Sequence, residues 1–260
     1  MSKDINDIIE GWDYVPGEVT VRKIIGKDGK EKIQMRLDLG LMQMEISERP
    51  DGKKPYGKES LFEYYKYLVE QHVIKYGSDE NFHLNIEDCV KLQREAVQYY
   101  YRYLSLFQLE EYELAKRDTE RNLRLIEFVN KYATSDEEKW LFEQYFPYIM
   151  MMNTRARATI CIDRKEYKEA LRIIRNGIKN IRKFFKDTDF EEDLELNPEI
   201  TFLENWEKSI REIAPVPIKE KLENELKHAI TNQEFEKAAK IRDKLHKLSE
   251  EEKKDENSRS

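Results

Sequence analysis

The sequence predicts a mainly α protein with a small antiparallel β-sheet near its N-terminus and a short helical hairpin near its C-terminus. Three observations predict it. Strict alternation of apolar and polar residues is confined to residues 19–46. From Ser60 onward, apolar residues recur at helical spacing in segment after segment. Charged residues make up 38% of the 260 and hydrophobic ones 39%, a balance that suits helices with wide solvated faces. Five segments are expected: a β-rich region at 1–59, a helical body at 60–212, a proline-rich linker at 213–218, a helical hairpin at 219–248 and a disordered tail at 249–260.

Val19, Val21 and Ile25 share one parity, as do Ile33, Met35, Leu37 and Leu39. Lys27-Asp28-Gly29 lies between the two runs. A three-residue loop with Gly29 left-handed pairs Val21 with Met35 and Val19 with Leu37. A two-residue loop at Asp28-Gly29 sets Val21 against Arg36, so the apolar pattern selects the longer loop. At Gly40 the phase changes and Met42, Met44 and Ile46 become the apolar set, as a bulge or tight bend there requires. Gln34, Arg36, Asp38 and Gln43, with Glu45, form a polar row on the other face. It reads as a solvated face. It also reads as a recognition surface, because arginine and amides make directional hydrogen bonds to peptides or nucleic acid. Trp12 and Tyr14 are expected to cover the apolar face.

Each helix has its punctuation. Ser60 caps one to about Tyr76, with Glu63 at the capping-box position and Gly77 as the stop. Asn85 caps the next, from about Ile86 to Leu109, which carries Tyr99, Tyr100, Tyr101, Tyr103 and Phe107. A third runs from about Tyr112 to Tyr132. Ser135 caps a fourth, and Pro147 fits the first turn of a new helix, so 136–145 and 147–163 are separate. A helix at about 165–186 follows, then an acidic linker at 187–196. Asn197-Pro198 starts another helix. Ile213, Pro215 and Pro217 make a stiff spacer, and the tail beyond Leu248 holds no large apolar residue.

Two stretches repeat. Glu111-Tyr112-Glu113-Leu114-Ala115 corresponds to Glu166-Tyr167-Lys168-Glu169-Ala170, and Arg102 and Arg157 precede the two tyrosines by the same interval. Ala158, Cys161, Tyr167, Ala170, Ile174 and Gly177 give the second unit small or apolar residues at its helix contacts. This resembles the tetratricopeptide repeat, although Tyr103 replaces Ala158 in the first unit and the units are spaced more widely than in that family. The resemblance implies a helical-hairpin solenoid that binds peptides with polar residues of the first helix of each pair. Gln98, Arg102, Asn153, Arg155 and Arg157 occupy those positions; the competing reading is that they face water or satisfy neighbours. Met150, Met151 and Met152 read as core filling.

Leu222, Leu226, Ala229 and Ile230 mark one helical face near the C-terminus. Asn232-Gln233 is the turn, and Phe235, Ala238, Ala239, Arg242, Leu245 and Leu248 follow at helical spacing. The run from Phe235 through Ala238-Ala239 to Arg242-Asp243 is similar to the UVR motif, the helical hairpin found in UvrB and UvrC, with Gln233 where that family has leucine. Glu234-Phe235-Glu236-Lys237-Ala238 also repeats the Glu-aromatic-x-x-Ala pattern, so a third helix pair of the solenoid is the alternative. The UVR resemblance implies pairing with another such hairpin, through Leu222, Leu226, Ala229, Phe235, Ala238, Ala239, Arg242, Asp243 and Leu245. A hairpin this short buries too little surface to stand alone, which points the same way. The whole chain resembles a bacterial group with a C-terminal UVR motif, residues 22–46 being the other shared block; that resemblance implies no activity. The CxxC pairs of the UVR-bearing activator of a protein-arginine kinase are absent.

The net charge of −7 weighs against direct duplex-DNA binding and leaves room for a local basic patch. No apolar run reaches the ~18 residues of a membrane span, and the first residues lack a signal-peptide apolar core; a cytoplasmic location is expected. Cys89 and Cys161 read as buried free thiols. His72, His83, His228 and His246 make no metal-spaced set with them, and no phosphate-binding glycine loop occurs. The expectation is a non-enzymatic adaptor without metal or cofactor. It would bind protein partners, including UvrB- or UvrC-like proteins or a second copy. The alternative is an accessory factor of nucleotide-excision DNA repair acting through UvrB or UvrC.

Overall fold

In the computed structural model, strand β1 (Val21–Ile25) turns into β2 (Glu31–Leu37) through Lys27-Asp28-Gly29, with Gly29 left-handed at φ 75°. Gly26 and Lys30 close the loop, Gly26 N donating to Lys30 O at 2.7 Å. Val21 pairs with Met35, as the apolar pattern requires. β3 (Gly40–Glu45) follows through a two-residue turn at Asp38-Leu39, pairing Met35 with Met42 and Ile33 with Met44. That tight bend is the cause of the phase change at Gly40. Ile33, Met35 and Met44 are buried on one face.

The structure describes residues 4–188, 196–215 and 218–257. They fall into two compact units, Met1–Ser209 and Ile210–Ser260. The first holds a short helix α1 (Asn6–Ile9), the sheet, and helices α2 (Leu61–Tyr76), α3 (Ile86–Gln108), α4 (Tyr112–Tyr132), α5 (Asp136–Glu143), α6 (Phe146–Asp163) and α7 (Tyr167–Asp187), with most of α8 (Pro198–Ile213). Ser60, Asn85 and Ser135 accept from the amides of Glu63, Asp88 and Glu138, and the latter two are complete capping boxes. Gly77 ends α2 in the left-handed conformation. Each cap contributes about 1 kcal/mol. Burial contributes more, about 1.5–3 kcal/mol for each large apolar side chain. Phe62, Leu92, Leu125, Val129, Phe142 and Ile149 form the core among α2 to α6. Ala156, Ala158, Ala170, Ile174 and Ile181 are buried on α6 and α7. Helices of this length, together with the insertion of α5, account for the wide spacing of the two units.

The second unit contains α9 (Ile218–Thr231) and α10 (Phe235–Asn257). The expected disordered tail does not begin at Ser249: α10 continues to Asn257. Glutamates and lysines are good helix formers, and Glu250 precedes Lys253 and Lys254 at supporting intervals. Most of the acidic linker (189–195), the spacer residues 216–217 and the last residues, 258–260, lie outside the described residues.

Three helix pairs, α3–α4, α6–α7 and α9–α10, are joined by one and the same backbone turn. Glu110, Lys165 and Gln233 are left-handed, with φ of 59°, 62° and 59°. In each turn the next amide reaches back to the last helical turn: Glu111 to Leu106 O, Glu166 to Cys161 O and Glu234 to Ala229 O, each at 2.8 Å. This is the Schellman arrangement, which saves carbonyls the ending helix leaves unpaired. Ala115, Ala170 and Ala238 are then buried at the same place in the second helix. A side chain in the left-handed region costs about 1–2 kcal/mol. Lys165→Gly is therefore expected to stabilise the protein by about 1 kcal/mol, read as a higher denaturation midpoint with an unchanged slope.

Candidate functional site

The polar row of the sheet is partly tied up by its own chain. Arg22, Gln34 and Gln43 stand in register across the three strands. Arg22 Nε donates to Gln34 Oε1 at 2.8 Å, and Gln34 Nε2 donates to Gln43 Oε1 at 3.0 Å. Gln34 is buried. Arg36 Nε donates to Trp12 O at 2.9 Å, and its Nη1 donates to Gly40 O at 2.8 Å. Lys32 pairs with Glu45. Asp38 lies exposed in the turn. Gln34 and Arg36 are thus tied to their own chain, while Asp38 and Gln43 stay exposed. The N-terminal segment lies on it: the Arg22 guanidinium sits 4.0 Å from the Trp12 ring centroid and donates to Ile8 O. Trp12 thus lies on the polar face, not on the apolar one it was expected to cover.

Two of the five polar residues expected to bind peptide are buried. Arg102 is 1% exposed and bidentate to Asp118, at 2.6 Å and 2.9 Å. It also donates to the carbonyls of Glu45 and Glu48, where the chain leaves β3. Asn153 is buried and donates to Thr119 Oγ1 at 3.0 Å. Gln98 is half-buried, 3.5 Å from Asp51. Arg157 is exposed. Arg155 lies over the rings of Phe107 and Phe202, at 5.2 Å and 5.0 Å from their centroids. It lines a groove of about 390 Å³ with Tyr112, Met152 and Trp206. Burial holds this guanidinium below the usual arginine range. Gln98 and Arg155 contact different neighbours, and Arg157 is exposed.

In the terminal hairpin, the residues expected to bind a partner separate into two sets. Ala229, Ala238 and Ile241 are buried, with Leu222, Leu226 and Leu245 packed around them. These six close the seam between α9 and α10. Phe235, Ala239 and Arg242 face outward, at intervals of four and three residues along one stripe of α10. Phe235 is 71% exposed, and Ile230, across the turn from it, is 55% exposed. Arg242 donates to Asp243 Oδ1 at 3.2 Å and 3.1 Å, both side chains in solvent. Tyr112 and Tyr167, which open α4 and α7 at the place of Phe235, are half-buried; Tyr112 packs edge-on against Phe107. Only the third hairpin leaves its aromatic bare.

Ile241 was missing from the expected contact set. The signal for it was the repeat: Ile241 follows the left-handed Gln233 by the interval that separates Asp118 from Glu110 and Ile173 from Lys165. All three are buried.

The hairpin thus has a closed seam and one stripe that leaves Phe235 bare. The family described as the UvrB/uvrC motif, UVR, matches residues 218–251, so this hairpin is a UVR motif. The match begins with α9, inside the stretch expected to be linker. UVR motifs mediate protein interactions in general. No curated protein and no solved structure matches the chain. Among the described residues, no helix is long and apolar enough to cross a membrane.

Proposed function

We propose that the chain is a non-enzymatic adaptor whose UVR hairpin pairs, through the Phe235–Ala239–Arg242 stripe, with a second hairpin of its kind, in a partner or in another copy. The observation that carries this reading is Phe235, bare on a hairpin that has already closed its own seam. Covering a phenylalanine contributes about 1.5–3 kcal/mol, and an aromatic beside an arginine is a favoured interface anchor. The helical hairpins of the first unit offer a second protein a groove around Arg155. The buried carboxylates support the non-enzymatic reading: Glu95 and Asp118 are each held by two arginines as structural ions. The UVR match favours one second reading, recruitment in nucleotide-excision repair through the corresponding hairpins of UvrB or UvrC.

Phe235→Glu in the full chain tests both readings. Its stability is expected to change by less than about 0.5 kcal/mol, because the site is exposed. Binding to purified UVR-bearing proteins, or the self-associated mass in sedimentation, is expected to be lost. Unchanged mass and unchanged binding would rule out the stripe as the contact.

A further inference from the structure

Around the place where the chain leaves β3 lies a pocket of about 270 Å³ with seven basic and four acidic side chains in its lining. Such an excess is unexpected in a chain of net charge −7. Three of its acids are already engaged. Asp118 is held by Arg102 and Arg117, Glu63 by Lys66, and Glu48 by Lys30. Lys53, Lys54 and Arg124 also line it and make no ion pair among the described residues. Arg117, Arg121 and Arg124 recur on α4 at intervals of four and three, so one helix face presents three guanidinium groups.

Arg121 provides a second, independent observation. It is 8% exposed, yet its Nε has no hydrogen-bond partner. Glu95 takes only its Nη2, and Nη1 donates to Asn122 at 2.9 Å. Burial holds this guanidinium below the usual arginine range.

We propose that this pocket binds a phosphomonoester dianion, either a free phosphate compound or a phosphoserine side chain of a partner. Planar arginine forks match phosphate oxygens, and several cations around one small volume favour a dianion over a monoanion. Recognition of phosphate here is separate from pairing through the hairpin, and each can fail without the other.

The test is isothermal titration of the full chain with inorganic phosphate, O-phosphoserine, a phosphoserine peptide and acetate, at one ionic strength. Saturable binding of at least one phosphate compound is expected. Replacing Lys53, Lys54 and Arg124 together by alanine is expected to weaken it at least about tenfold. These three are exposed and leave the buried arginine pairs intact. Replacing the exposed Lys179 and Lys183 of α7 by alanine is expected to leave binding unchanged, which separates a local site from bulk charge. A peptide that binds more tightly than inorganic phosphate identifies the partner side chain as the source; the reverse identifies a free anion. No saturable binding, equal binding of acetate, or equal losses in the two variants overturns the proposal.

Discussion

Glu95→Ala is expected to cost the first unit about 3–5 kcal/mol, most of the stability an ordinary domain has. Glu95 is fully buried in α3 and has four partners. It accepts from the amides of Leu61 and Phe62 at 2.7 Å and 3.1 Å, the first amides of α2. It also lies 2.9 Å from Arg49 Nε and pairs with Arg121 Nη2. Removing it leaves two helix-end donors without an acceptor and the buried Arg121 guanidinium without its counter-ion, and an uncompensated buried charge is the costliest item in that set. Glu95→Gln keeps one acceptor oxygen and the shape, so its loss is expected to be smaller than that of alanine. Trp12, Trp140 and Trp206 all fall in the first unit, so tryptophan fluorescence during denaturant unfolding reports that unit alone. A loss below about 1 kcal/mol for the alanine variant would mean that solvent reaches the site and that the network is not a buried one.

What could be read in advance was whatever short-range rules settle. The register of β1 on β2 followed from parity and one glycine, because a slip of one residue puts the apolar set on the wrong face. The helix starts followed from Ser60, Asn85 and Ser135, whose side chains act within three residues. The polar residues were harder, because spacing along one element does not say what covers it. Gln34 and Arg36 were legible as a row, but the segment that lies on it comes from Ile8 and Trp12, far upstream. Arg102 and Arg157 occupy equivalent places and looked alike. Their fates differ with the residue at the matching place after the turn: Arg102 is buried in an ion pair with Asp118, whereas the second pair has the apolar Ile173 there and Arg157 is exposed. That contrast was present in the sequence, and the symmetry about Glu110 and Lys165 would have shown it. Gly177 is a similar case. A Cβ there would lie 2.2 Å from Thr154 Oγ1, so the repeat's small residue marks a real close approach of α6 and α7.

Asp118→Ala is expected to loosen the sheet first and to cost about 3–5 kcal/mol in total. Asp118 is 1% exposed and orients two arginines. Arg102 then holds the carbonyls of Glu45 and Glu48, and Arg117 Nη2 holds Ile46 O at 2.9 Å. The carboxylate thus fixes the guanidinium forks that fasten the end of β3 to α3 and α4. Without it the buried Arg102 cation is unbalanced, and the least costly relief is for the residues from Glu45 to Glu48 to move and admit water. Amide exchange distinguishes this from uniform destabilisation. The amides of β3, among them that of Glu45, which donates to Pro50 O at 2.9 Å, are expected to exchange faster well below the unfolding midpoint. The buried turns of α6 and α7 are expected to keep their protection. The paired replacement Arg102→Met with Asp118→Leu removes the fully buried charge together with its partner and leaves only the partly exposed Arg117 without a carboxylate. It is expected to cost less than Asp118→Ala alone, although the two β3-end carbonyls still lose their donor. If the pair costs more than the single change, hydrogen bonding to those carbonyls, rather than charge balance, dominates the clamp.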